Sequence, residues 1–208
     1  MRAIVDRPGS RLMIAALAAL ALVGMLVVRT TQAAFTASTS NEPNSFSAGN
    51  LVLTDDAAMA MFFNIALVPG QSVQRCIEVE YAGTVTDPSL LGEVKLYSGG
   101  YDQGPGAEPG SVGLGEHLLL TIDEGTGATY GDDCTGFTFG SNLVDGETLE
   151  AFDTARTNYG NGVGTWKPAV SPEARSYRFI VELDPDTPDT EQGAGVTNAQ
   201  FVWEIQTL

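Results

Sequence analysis

The sequence predicts an all-β protein, an antiparallel two-sheet sandwich. Several segments alternate apolar and polar side chains with a period of two, which places one set on a core face and the other towards solvent. Glycine and proline punctuate the chain between these segments, and no stretch after residue 35 carries a convincing helical stripe. Many short strands with Gly-rich connections, and no alternation of strands with helices, favour two packed antiparallel sheets. Around eight strands would suit a jelly-roll-like arrangement.

The individual elements follow from this alternation. Well-patterned strands are predicted at 58–67, 76–81, 118–122, 177–183 and 201–206, and shorter ones at 51–54, 90–97 and 135–139. Segment 147–156 (ETLEAFDTAR) places Leu149 and Phe152 three residues apart, and its pattern is open between a short helix and a strand. Glycine and proline cluster at 99–115, 158–172 and 184–195, which we expect to be loops.

The first 33 residues have the pattern of an export signal. Three arginines precede an unbroken apolar run at 12–28, and Thr31-Gln32-Ala33 fits a small-x-Ala cleavage site. The run is short for a membrane span, which usually needs about 20 apolar residues. The alternatives are an uncleaved membrane anchor and a buried core helix. We expect cleavage between Ala33 and Ala34, so that the secreted protein starts at Ala34 or Phe35.

This assignment divides the chain into three parts. A signal peptide at 1–33 is followed by an extended N-terminal segment at 34–49 and a β-sandwich domain at 50–208. The signal peptide holds four arginines and one aspartate, so its removal takes the formal net charge from −16 to −19. A surface this acidic repels nucleic-acid phosphates and anionic lipid. We therefore expect no nucleic-acid partner and no stable membrane association after cleavage.

The two cysteines, Cys76 and Cys134, both follow the signal. In an exported chain an even cysteine count predicts a disulfide. A metal pair or a catalytic thiol is the competing interpretation, and either needs His or further Cys nearby, whereas the sequence has only His117. Because Cys76 alternates with Ile77, Val79 and Tyr81, we expect it on the outer side of its strand.

The sequence gives little support for catalysis. A single His excludes a zinc site with two His ligands, and nothing around His117 indicates a Ser-His-Asp arrangement. Two acids beside Cys134 would make its thiol a poor nucleophile. A glycosidase carboxylate pair is an alternative that composition alone does not remove. We predict no catalytic, cofactor-binding or metal-ligating residue.

The acidic loop that starts at Asp184 (DPDTPDTE) has two interpretations. Clustered oxygen ligands are what calcium uses, but the glycine and glutamate that an EF-hand needs at its sixth and twelfth positions are missing. The alternative, which we favour, is a proline-interrupted acidic turn between two strands.

Short motifs along the chain resemble one known family. They are AFT at 34–36, NSFSAGNLVL at 44–53, LVPG at 67–70, QG at 192–193 and FVWE at 201–204. Together with the export signal, they resemble the TasA/camelysin family of bacterial surface and biofilm-matrix proteins, in an actinobacterial-type version with two cysteines. The resemblance implies a jelly-roll fold and processing by a dedicated signal peptidase. For fibre-forming members it also implies head-to-tail assembly, in which the N-terminal segment of one subunit adds to the sheets of the next. The family names carry a metallopeptidase label, from which this sequence departs because it lacks His-Glu-x-x-His.

The extended N-terminal segment is the candidate functional element. In an extended strand, Phe35, Ala37 and Thr39 fall on one modestly apolar face. Such a strand can pair its backbone with an exposed sheet edge, while Phe35 and Phe46 fill pockets between sheets. We expect the acceptor to be the next copy of the protein, and the alternative is a disordered or self-tucked N-terminus.

These observations together predict a secreted, non-enzymatic structural protein of the extracellular matrix or cell surface. Its expected partners are copies of itself, in a head-to-tail oligomer or fibre formed by N-terminal donor-strand addition. The alternatives are a monomeric β-sandwich binding module for a carbohydrate or host protein, and a secreted hydrolase.

Overall fold

The computed structural model describes residues 36–40, 51–63, 65–104, 109–131 and 133–208. They belong to the second of two units into which the chain divides, Phe35–Leu208. Its strands are β1 (Thr36–Ser40), β2 (Leu53–Asp55), β3 (Ser72–Tyr81), β4 (Lys95–Gln103), β5 (Leu118–Thr126), β6 (Thr138–Thr148), β7 (Glu173–Leu183) and β8 (Val196–Gln206). The helix α1 spans Leu149–Ala155, and two short 3-10 turns lie at Leu114–Glu116 and Asp189–Glu191.

The strands form two antiparallel sheets, which confirms the predicted all-β sandwich. The larger sheet has the order β2-β3-β7-β5-β6, and the smaller one has the order β1-β8-β4. β1 and β2 are consecutive in the chain but belong to different sheets. The jelly-roll-like connectivity stays a prediction.

The core lies between the two sheets and is rich in aromatic side chains. Tyr177 and Phe179 of the larger sheet meet Trp203 and Phe201 of the smaller one, with ring centroids 5.4 Å apart for Tyr177–Trp203 and 4.7 Å for Phe179–Phe201. Phe152 of α1 closes one side of this cluster, 6.0 Å from Phe201. These side chains alternate with more exposed ones along β7 and β8, as the period of two predicts.

The open assignment at 147–156 resolves as a helix. The hydroxyl of Thr148 accepts a hydrogen bond from the backbone N–H of Ala151 and so caps the N-terminus of α1. Leu149 and Phe152, three residues apart, are the buried side chains of the helix. Their spacing places both on the face that packs against the core.

The predicted strand at 58–67 is wrong. In the described part of this segment the chain is a loop, although Met61 inserts into the core. Side-chain alternation reports one face of an extended chain, but a strand also needs a ladder partner. β2 pairs with β3 only as far as Asp55, opposite Val79. Beyond that point, a side chain reaches the backbone: Nε of Arg75 donates to the carbonyl oxygen of Met61 at 3.0 Å.

The predicted disulfide is confirmed, since Cys76 and Cys134 are bonded with their Cα atoms 5.2 Å apart. Both are buried in a small cluster of their own with Ala128, separate from the main core. Ile77, Val79 and Tyr81 belong to the main core instead. Cys76 therefore lies on the outer face of the larger sheet, as the sequence predicts.

Candidate functional site

The edge of the smaller sheet brings the N-terminal segment against β8. β1 pairs with β8 in antiparallel register, from Thr36 opposite Gln206 to Ser40 opposite Val202. Ala37 lies opposite Ile205 and Thr39 opposite Trp203, and both of these β8 residues are fully buried. The positions at which the sequence predicts the apolar face of β1 are therefore the register partners of two core residues of β8.

The structure does not describe the other predicted residues of the N-terminal segment. Phe35 and Phe46, like Ala33 and Ala34 at the expected cleavage site, lie outside the described residues. The predicted signal peptide, 1–33, also lies outside the described residues. The helices of the described residues are too short or too polar to cross a bilayer.

β8 has two neighbours, and they differ in how firmly the rest of the fold holds them. β4 is nine residues long, and segment 156–166 holds its far side. Backbone hydrogen bonds join Val94 to Trp166, Leu96 to Val163 and Ser98 to Arg156. β1 is five residues long and is the outermost strand of its sheet. If β1 left, the β8 edge between Val202 and Gln206 would be free to pair with another strand.

The outer face of β8 carries a buried carboxylate, Glu204. Its Oε2 accepts a hydrogen bond from the hydroxyl of Tyr97 at 2.6 Å, and its Oε1 accepts one from the side-chain amide of Gln206 at 2.7 Å. Burial, together with this hydrogen bond to Glu204, raises the pKa of Tyr97. Ser38 of β1 is the register partner of Glu204.

A second buried carboxylate, Glu124, lies on β5, opposite Tyr177 of β7. Burial raises its pKa, although the nearby Arg175 guanidinium opposes this effect. Tyr177 is also buried, and burial together with the Glu124 charge raises the pKa of its hydroxyl well above the usual value. A buried acid with a raised pKa is a common signature of a functional site when it lies in a cleft. Glu124 instead lies in the interior beside the aromatic core, which favours a structural role.

The residues that could have carried chemistry are placed apart from one another. Cys134 is in the disulfide, and Nε2 of His117 lies 4.0 Å from Oε1 of the buried Glu191. In the acidic loop, Oδ1 of Asp184 accepts a hydrogen bond from the backbone N–H of Asp186 at 2.8 Å. Among the described residues, His, Cys, Asp and Glu side chains do not gather in threes that could hold a metal ion.

Sequence reasoning missed the role of Glu191 altogether. Its carboxylate accepts hydrogen bonds from the hydroxyl of Ser111 at 2.6 Å and the backbone N–H of Val112 at 2.9 Å. It therefore ties the 3-10 turn Asp189–Glu191 to the loop before β5. The partners are about 80 residues apart in the chain, so no local pattern could have indicated the contact.

We expect Glu191→Gln to destabilise the protein at neutral pH and much less in acid. The hydrogen bond from Ser111 is the main cause that lowers the pKa of Glu191 below its usual value of 4.5, although burial opposes it. A carboxylate with a lowered folded-state pKa stabilises the fold above its unfolded-state pKa, and this contribution is lost as the pH falls through the folded-state value. Urea unfolding of both proteins at pH 7 and at a pH below that folded-state value measures the difference. An equal gap at both pH values would contradict the assignment.

No family model matches the chain, and no curated protein matches it either.

Proposed function

We propose that this is a secreted, non-enzymatic structural protein that assembles by exchange of β1 between copies. In this proposal the protein is exported, begins at Ala34 or Phe35, and contributes to an extracellular matrix or cell surface. The β1 of one copy pairs with β8 of the next, and repetition of this contact in one direction gives a head-to-tail fibre. The predicted signal peptide and the resemblance to the TasA/camelysin family support the extracellular location.

The observation that carries the proposal is the position of β1. It is a short outermost strand, paired with β8 and joined to β2 by the twelve residues 41–52. The hydrogen bonds between β1 and β8 are the same whether both strands belong to one chain or to two. Exchange of an identical element between protomers therefore changes little in enthalpy and is a low-cost route to association.

The small side chains of β1 favour exchange over permanent attachment. A backbone hydrogen bond contributes about 0.5–1.5 kcal/mol net. A five-residue strand of small residues can therefore add only a few kcal/mol to the fold. A strand held this weakly can leave its own sheet without unfolding the aromatic core behind β8. The repeated contact is heterologous, so it leaves a free donor and a free acceptor at the ends of each oligomer.

The test compares the secreted protein with a version that starts at Asn44. Light scattering and electron microscopy across a concentration series should show fibres for the secreted protein and monomers for the shortened one. Circular dichroism establishes that the shortened protein keeps its strands. Equal fibre formation by both proteins, or a strictly monomeric secreted protein, would remove strand exchange from the account and favour the monomeric binding module.

A further inference from the structure

The loop between β2 and β3 exposes an unusual amount of apolar surface. We call residues 57–68 the apolar loop; Asn64 within it lies outside the described residues. Four of its large apolar side chains are exposed: Met59 (66 %), Phe63 (76 %), Ile65 (40 %) and Val68 (64 %). In a chain of formal net charge −16, no charged residue lies between Asp56 and Arg75. Large exposed apolar side chains grouped in one uncharged segment mark a candidate interaction surface.

Contacts with the sheet hold the apolar loop in place. Met61 is buried in the core, and its carbonyl oxygen accepts from Nε of Arg75. The Arg75 guanidinium also lies over the ring of Phe62, 6.0 Å from its centroid. The hydroxyl of Tyr130 donates to the carbonyl oxygen of Ala60 at 3.4 Å. The exposed side chains are therefore presented on a supported backbone.

The apolar loop lies on the same side of the sandwich as β1. β1 is next to β2, and the loop continues from β2 along the β3 edge to the level of Arg75. Trp203 and Phe201 of β8 lie over Tyr177 and Phe179, and Phe179 is the register partner of Arg75. The C-terminal end of β1, opposite Val202, is therefore close to the level at which Arg75 holds the loop.

A second exposed apolar pair lies at the other end of the molecule. Leu90 is 53 % exposed and Val170 is 58 % exposed. Their segments are neighbours, since the backbone N–H of Val94 donates to the carbonyl oxygen of Trp166 at 2.7 Å. Val170 comes shortly before Glu173, which is opposite Tyr81, the residue that also pairs with Leu53. The Leu90–Val170 pair therefore lies at the end where β2 begins.

Strand exchange would bring these two surfaces together. In a copy that donates β1, the chain leaves the acceptor after Ser40 and enters its own β-sandwich at Leu53. The twelve residues between them span at most about 40 Å. The donor thus presents the end that carries Leu90 and Val170 to the side of the acceptor that carries the apolar loop. We propose that the apolar loop is the docking surface for this end of a second copy of the chain, which deepens the proposed function and rests on it.

Charge favours a second copy over other occupants. Two copies of so acidic a protein repel one another, and the repulsion is smallest where uncharged surfaces meet. The apolar loop is such a surface, and it lies within reach of the donor strand. An anionic membrane is disfavoured by the same acidity.

The experiment measures the concentration at half-assembly of the secreted protein by sedimentation velocity. The loop variant is Phe63→Ser with Ile65→Ser, and the end variant is Leu90→Ser with Val170→Ser. Phe139→Ser is the matched control, because Phe139 is 58 % exposed and lies on β6 at the opposite edge of the larger sheet. Each changed side chain is exposed, so the variants should fold, which unfolding midpoints establish.

We expect the loop and end variants each to raise the half-assembly concentration at least tenfold, which corresponds to about 1.4 kcal/mol. The control should stay within about twofold of the unchanged protein, since substitutions of exposed residues usually have small effects. An unchanged value for the loop variant would overturn the docking proposal. The docking proposal would also be overturned if the loop variant assembled normally but no longer bound neutral phosphatidylcholine vesicles that the unchanged protein binds. That result would assign the loop to lipid.

A strand variant separates this proposal from strand exchange. The strand variant carries Ser38→Pro together with Thr39→Pro. In an antiparallel strand, the backbone N–H groups of successive residues point alternately towards and away from the partner strand, so the double substitution removes one donor to β8 in either case. If the strand variant assembles normally, exchange falls, and the docking proposal that rests on it falls as well. If the strand variant fails while the loop variant assembles normally, exchange stands and docking falls. If the unchanged protein does not assemble at all, both proposals are overturned.

Discussion

Replacement of Trp203 by alanine is expected to lower the free energy of unfolding by about 3–5 kcal/mol. Trp203 is fully buried in β8, where its ring packs against Tyr177 and Phe179. Truncation would remove these contacts and leave a cavity at the centre of the interface between the sheets. Such a cavity would open directly behind the strand that receives β1.

Equilibrium urea unfolding of Trp203→Ala and the unchanged protein measures this effect. Phe139→Ala is the control, because it truncates an exposed aromatic residue on another strand and should stay within about 0.5 kcal/mol of the unchanged protein. A loss below about 1 kcal/mol for Trp203→Ala would mean that β8 is not anchored by this core.

Removal of the disulfide is expected to cost about 2–5 kcal/mol. Cys76 and Cys134 are 58 residues apart in the sequence, and closing a loop of this length restricts the unfolded chain. The bond also joins β3 to the segment before β6, where backbone hydrogen bonds between Cys76 and Gly131 already hold the chain. Reduction should therefore affect the whole fold as well as the loop.

The measurement is urea unfolding of a double variant, Cys76→Ala together with Cys134→Ala in one chain, compared with the oxidised unchanged protein. Alanine leaves no unpaired thiol and introduces no buried hydroxyl. Intact mass before and after reduction should differ by two protons. Two thiols that alkylate freely in the folded, unreduced protein would contradict the bond, and a loss below about 1 kcal/mol would contradict its energetic role.

The strands that were predicted best from the sequence are those in which buried and more exposed side chains alternate. Buried and more exposed residues alternate along 177–179 of β7 and 201–203 of β8, so the strands at 177–183 and 201–206 were readily predicted. β6 was predicted only at its first residues, because its ladder with β5 contains three register irregularities. Each irregularity shifts which side chains face the core and so removes the period of two.

The candidate site was predictable in part. The face of β1 that carries Ala37 and Thr39 follows from extended geometry alone, but the identity of its acceptor does not. The register partners in β8 lie more than 160 positions further along the chain, and neither segment alone determines the register between such distant strands. The apolar loop shows the opposite error: its alternation was visible, but the absence of a ladder partner beyond β2 left its side chains exposed.

The most direct test of strand exchange asks whether β1 of one copy reaches β8 of another. Ser40 and Val202 are register partners, so a cysteine at either position should lie within reach of a short thiol-to-thiol reagent. Protein that starts at Ala34 and carries Ser40→Cys is mixed with the same protein carrying Val202→Cys, and covalent dimers are measured across a concentration series. A single chain with both substitutions reports pairing within one molecule, and Phe139→Cys in place of Val202→Cys is the negative control.

Strand exchange predicts that dimers form in the Ser40→Cys and Val202→Cys mixture, increase with protein concentration, and do not form with the control. Cross-linking confined to the doubly substituted single chain at every concentration would show that β1 stays in its own sheet, and would contradict assembly by strand exchange.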